Sequence, residues 1–406
     1  MCAGLLLLWS GPEMFASRWT PQALAFTHLI TVGFMLQVML GAMQQLLPVM
    51  AGANIHRPKL VASVVHTAIT LGAILLVLAF LTSLPWLFGC AVVTLSIGIT
   101  VFVAAALHAL SGAPAPSAVI RGLRMALLGL VTTAGIGLVV ALALGWPMEL
   151  KLQQWTNVHM AWGFVGWGGV LLGAVGFVVV PMFQQTRHYP QWFTHGFAGS
   201  ALTIVALWSV AELTGYSRTA VALGIGVVLV AASLALMTFK LLLGSKRPNL
   251  DAVQILWRFA MVSAVAACGL WLLAQASDTV AQWRGWPLLF GATVLVGGFM
   301  SVILGMLYKI VPFLVWLHLQ NLAQGRLMAP NVKKVLAEKH IRWHMWAHFL
   351  AFGLLLLAVV WPAWFTYPAG LALMVANGWL LRNLLAAVAV YRSHMAKIEA
   401  LGAPRA

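Results

Sequence analysis

Apolar residues fill this chain in long runs, and short polar stretches interrupt them at intervals of 20 to 30 positions. Strand alternation and the one-sided stripe of a soluble helix are both absent from these runs. About 20 apolar residues suffice to cross a bilayer as a helix. Eleven such spans are predicted, over residues 22–50, 59–83, 85–110, 121–145, 155–183, 195–214, 219–240, 252–277, 286–317, 341–361 and 366–391. The opening "MCAGLLLLWS" is apolar but too short to cross, and it reads as the end of a further span. The expected fold is an all-α polytopic membrane protein with a twelve-helix plan, forming one transmembrane domain over residues 1–406.

Composition agrees with this pattern. The chain is 62% hydrophobic and 7% charged, against about 25% charged in a soluble domain. A net charge of +16 raises the question of nucleic acid, but the positions of the basic residues answer it. They cluster after alternate spans: Arg57 and Lys59, Arg121 and Arg124, Arg187, Lys246 and Arg247, then Arg326, Lys333, Lys334, Lys339 and Arg342. The other loops hold Glu13, Glu149, Glu212 and Asp278. Basic loops mark the cytoplasmic side. Residue 20 is therefore expected outside and the C-terminus inside, in a bacterial inner membrane, with the lipid bilayer as partner and no nucleic acid. Tryptophans near span ends, such as Trp86, Trp146, Trp283 and Trp361, match an interfacial belt. Cys2, Cys90 and Cys268 are scattered and form no CxxC pair, so a thiolate metal site or disulfide framework is not expected.

Three long spans end alike: "MLGAMQQLLPVM", "LLGAVGFVVVPMF" and "ILGMLYKIVPFL". Their prolines, Pro48, Pro181 and Pro312, are 133 and 131 residues apart. Gly33, Gly166 and Gly297 stand fifteen positions before them, and Gly41, Ala174 and Gly305 seven before. Close helix packing explains the small residues but not the even spacing. Three pseudo-symmetric repeats of four helices are expected, over roughly residues 1–110, 111–240 and 241–406.

Three arcs of four helices with a histidine near the outer end of the second is a plan that resembles the heme–copper oxidase catalytic subunit. "THLITVGFMLQVMLGAMQQLLPVMAG" is similar to that family's second helix, whose histidine ligates the low-spin heme, and to the histidine helix of NnrS, a heme and copper membrane protein associated with nitric oxide stress. "WTNVHMAWGFVGWGGVLLGAVG" resembles the sixth helix of nitric oxide reductases. The resemblance implies a b-type heme, with His28 and His159 as cofactor ligands. The sequence also departs from the family. Positions matching these histidines before Pro312 are Ala292 and Phe290, "WFTHGFAG" holds only His195, and the reductase glutamate is Gly163. A standard binuclear oxygen- or nitric-oxide-reducing centre cannot be assembled from such residues.

Intramembrane ionisable side chains are functional by default. His28 falls six residues into its span, about 9 Å along the axis, in similar register to His159. Both then hold a cofactor, or both sit among lipid headgroups bonding water. A second set, His66, His195 and His348, opens corresponding spans of the three repeats, and His344 stands one turn before His348. Imidazole suits copper, zinc and iron, so His66, His195, His344 and His348 form a candidate transition-metal site; inner-interface rings bonding loop carbonyls are the alternative. Gln44, Gln45, Gln184, Gln185 and Lys309 cluster at the three prolines, either satisfying the carbonyl that proline frees or lining a vestibule. The functional expectation is a heme protein in respiratory redox, nitric oxide handling or metal-centre support, an oxidoreductase if it is an enzyme, with respiratory electron-donor proteins as partners. A cofactor-free transporter and a structural respiratory subunit are the competing classes. Seven acidic residues offer little to a carboxylate-driven transporter.

Overall fold

A computed structural model describes residues 1–113, 117–247, 249–323 and 327–402. Arg326, counted in the basic loop, lies outside them. A short helix α1 (Cys2–Ser10) precedes eleven spanning helices. These are α2 (Pro21–Ala51), α3 (Pro58–Thr82), α4 (Pro85–Ser111), α5 (Ala118–Gly145), α6 (Leu152–Gln184), α7 (Gln191–Thr214), α8 (Ser217–Leu243), α9 (Ala252–Ala276), α10 (Trp286–Ala323), α11 (Glu338–Val360) and α12 (Pro362–Gly402). No strand occurs among the described residues. The chain is a multi-pass membrane protein, and the expected all-α class is the one observed.

Local chemistry sets the helix ends. Thr20 caps α2, its side chain accepting from the Ala23 N–H at 3.2 Å, with Pro21 supplying the first helical position. Asp251 caps α9 by accepting from the Gln254 N–H at 2.8 Å. Leu71, Ile97, Leu207, Leu229, Val262 and Leu371 are exposed along the spans. In water such exposure would be costly; here it forms the lipid-facing surface. Trp86, Trp192 and Trp361 are exposed near helix ends, as a belt requires. α1 packs against α12 at the other end of the chain, which closes the bundle.

The long helices α2, α6 and α10 share a backbone feature. Each departs from α geometry into a π-helical stretch: Thr31–Leu36, Trp162–Gly169 and Thr293–Met300. Every stretch ends twelve residues before the proline of its helix. A π-turn shifts carbonyls out of the i−4 ladder and needs other donors to meet them. In α2 Gln37 follows the stretch, its Nε2 donates to Gly33 O at 3.0 Å, and Thr70 on α3 donates to its Oε1 at 3.2 Å. In α10 Ser301 follows, its hydroxyl bonds Val296 O at 3.2 Å, and His348 on α11 approaches it at 2.8 Å. In α6 the corresponding residue is Val170, and no such clamp forms.

Candidate functional site

The three long helices surround one cavity of about 970 Å³. Each π-helical stretch supplies part of its wall, through Met35, Phe164 and Leu295 among others. The lining is mainly apolar, and the volume lies at the upper end of the range for ligand pockets, roughly 300–1,000 Å³.

His28 and His159 both line this cavity. His28 Nδ1 stands 2.8 Å from the Leu24 carbonyl one turn earlier in α2. His159 Nδ1 stands 3.0 Å from the Thr133 carbonyl on α5. A carbonyl can only accept, so Nδ1 carries the hydrogen in each neutral ring and Nε2 keeps the lone pair. Neither Nε2 has a hydrogen-bond partner among the described residues. Both rings retain some free surface, and the cavity borders it. An imidazole held at Nδ1 by a carbonyl, with Nε2 bare, is the arrangement of a metal or heme ligand whose orientation is fixed from behind. Histidines 195 and 394 make the same bond to a carbonyl four residues back, at 2.7 and 3.0 Å, but neither lines the cavity. The shared cavity singles out His28 and His159.

Their positions depend on small residues. Phe80 packs on His28 with ring centroids 4.9 Å apart. On α5, Gly129, Thr133 and Gly137 repeat at four-residue steps and face α6. A Cβ at Gly129 would fall 2.0 Å from Gly166 O, and one at Gly137 would fall 2.6 Å from His159 Cε1. This stripe lets the two backbones approach closely enough for Thr133 O to reach His159. The third repeat presents Phe290 and Ala292 to the cavity where α2 and α6 present histidines.

Polar groups gather at the cavity rim next to the start of α2. Arg18 donates to Asn157 Oδ1 at 3.1 Å, and Asn157 Nδ2 donates to Glu212 Oε1 at 2.8 Å. The Arg18 guanidinium lies 4.9 Å from the Trp19 ring centroid. Burial lowers its affinity for a proton, and Glu212 opposes that shift.

The four inner histidines are not brought together. His66 and His195 are exposed on α3 and α7, whereas His344 and His348 are buried on α11. The histidines stand at different turns of their helices, His66 eight residues after Pro58, His195 four after Gln191 and His348 ten after Glu338, so the corresponding spans do not present them at one depth. No group of three or more His, Cys, Asp or Glu with metal-holding geometry occurs among the described residues. The reading of Lys309 as a partner for a proline-freed carbonyl also needs correction: its Nζ binds Asp251 Oδ2 at 2.8 Å. Gln45, offered the same role, is exposed and bonds no carbonyl among the described residues.

Sequence reasoning missed the groups around the two imidazoles: Leu24, Thr133, Gly137, and the Arg18–Asn157–Glu212 chain. The four-residue spacing of Gly129, Thr133 and Gly137 was the available signal. No protein-family model matches the chain, and no curated protein matches it either.

Proposed function

We propose that the chain is a heme-binding integral membrane protein and that His28 and His159 ligate a b-type heme in the cavity. One observation carries this reading: two imidazoles, each tied at Nδ1 to a carbonyl, leave bare Nε2 lone pairs on one apolar cavity. The surroundings fit the group. The walls suit a flat apolar macrocycle, the volume of about 970 Å³ accommodates it, and Arg18 at the rim suits its carboxylates. The resemblance of "THLITVGFMLQ" to a heme-ligating oxidase helix points the same way.

When bound, the heme supplies one-electron redox chemistry at iron. The residues of the chain do the remaining work. The Leu24 and Thr133 carbonyls orient the two rings and fix their tautomers. Gly137 leaves room for the His159 imidazole. Apolar side chains exclude water, which raises the cost of charge in the cavity. The role belongs to respiratory redox, nitric oxide handling or the support of metal centres, in a bacterial inner membrane with the C-terminus cytoplasmic. A separate metal at His344 and His348 is not part of this reading, because Ser301 engages His348 Nε2.

The test is absorption of the purified protein, expressed with ample heme. A Soret band with low-spin character is expected. His159→Ala should leave a five-coordinate iron that binds carbon monoxide, and His28→Ala should lose the heme. A wild-type protein with no Soret band overturns the reading in favour of a cofactor-free transporter built on the same cavity.

A further inference from the structure

The two junctions between repeats are built alike. Helix α4 ends on Gly112 and α8 on Gly244, with φ, ψ of −86°, 5° and −85°, 16°. After a short loop a side chain caps the next helix. Ser117 accepts from the Ile120 N–H at 3.2 Å to open α5, and Asp251 accepts from the Gln254 N–H at 2.8 Å to open α9. An arginine stands at the seventh position of each new helix, Arg124 in α5 and Arg258 in α9. Arg124 Nη2 donates to Leu110 O at 2.7 Å, and Arg258 Nη2 donates to Leu242 O at 2.8 Å. Leu110 and Leu242 are each the second residue from the end of their helix. Such carbonyls lack an intrahelical donor and attract positive charge.

Both arginines lie at the edge of the lipid-facing surface. The residue one turn further on is open to it: Leu128 is 56% exposed after Arg124, and Val262 is 53% exposed after Arg258. Each guanidinium therefore heads an apolar stripe on the same helix face. Arg121 is exposed on the stripe of Arg124, one turn before it. The depth suits a phosphate group. Helix α9, with 25 residues, is about 37 Å long against an apolar layer of about 30 Å, which puts the Arg258 Cα a few ångströms inside that layer. Helical side chains lean toward the N-terminus of their helix, here the side of the basic loops. The long stem thus carries the guanidinium back to the headgroups.

No carboxylate pairs with Arg121, Arg124 or Arg258 among the described residues. Asp251, the acid closest to Arg258 along the chain, is held by Lys309 and Arg247. Arg258 Nε is buried without a partner. At each junction the carbonyl takes one nitrogen of the fork and fixes it in place, so further N–H groups stay free for an anion.

We propose that the two junctions are equivalent binding sites for an anionic phospholipid, in the leaflet on the side of the basic loops. The phosphodiester meets the guanidinium of Arg124 or Arg258 in charge-assisted hydrogen bonds. One acyl chain runs along Leu128 or Val262. A net anionic headgroup is preferred to a zwitterionic one because neither arginine has a counter-charge. The sites do not depend on heme.

The test is native mass spectrometry of the full chain in detergent, offered phosphatidylglycerol, phosphatidylcholine or inorganic phosphate. Wild-type protein should retain two phosphatidylglycerol molecules, with phosphatidylcholine retained about fivefold less. Arg124→Gln and Arg258→Gln should each retain one, and the double variant none. Equal retention of the two lipids by wild type overturns the proposal, and this comparison decides even where a variant fails to fold. Two phosphatidylglycerol molecules on a folded double variant also overturn it. So does retention of inorganic phosphate as firmly as the lipid, because the acyl chain would then contribute nothing. Heme is read separately by absorption, so a missing Soret band bears only on the heme reading.

Discussion

At Gly137 a Cβ would stand 2.6 Å from His159 Cε1, so Gly137→Ala must push the imidazole away from the Thr133 carbonyl or tilt α5. The expected outcome is a folded protein whose visible spectrum shifts toward that of His159→Ala; an unchanged spectrum would show that His159 is not a ligand. A second prediction concerns Asp251. Burial drives its carboxyl up, but Lys309, the Gln254 N–H and Arg247 together hold it below the usual value. A lowered folded value lends stability above the unfolded value of about 3.9, and that stability is lost as pH falls through the folded one. Asp251→Asn should therefore flatten the acid limb of melting temperature against pH. It should also cost about 2 kcal/mol near neutrality, read by thermal unfolding in detergent. The two candidate ligands were legible in the sequence because each stands out as an ionisable residue in an apolar run. Their supports were not legible, since Leu24 and Thr133 act through backbone carbonyls, which a sequence does not distinguish. Lys309 was misread for a related reason: its partner Asp251 is 58 positions away, and helix spacing says nothing about such a pair.

The spanning helices themselves were readable, because a run of about 20 apolar residues has few other fates. The π-helical stretches were not. The glycines Gly33, Gly166 and Gly297 fall inside them, but from sequence a glycine in an apolar helix signals close packing as readily as a change of winding. Both occur at the meeting of α5 and α6. There Gly129 faces Gly166 O with 2.0 Å left for a Cβ, so neither backbone can yield without moving the π-stretch. Gly129→Ala is expected to destabilise the protein by about 1–3 kcal/mol, measured as a lower melting temperature. Gly135, between Thr133 and Gly137 in the chain but on another face of α5 and with open space around it, should accept alanine with little change. Equal tolerance at both positions would contradict the packing.

For the molecule as a whole, the alternation of basic and acidic loops predicts a bundle with its C-terminus on the cytoplasmic side. Reporter fusions after α12 should give the cytoplasmic signal, and fusions in the loop holding Arg18 the opposite one; the reverse pattern would invert the orientation. The number and order of spans were visible from hydropathy. The cavity was not, because its wall is assembled from helices far apart in sequence, each π-stretch supplying a part. That hollow also makes the bundle mechanically soft. Internal voids vanish on unfolding, so hydrostatic pressure favours the unfolded state in proportion to the empty volume lost. With about 970 Å³ at its centre, the protein without its occupant should give way at lower pressure than the loaded form, and the difference between the two midpoints would gauge how completely the occupant fills the space.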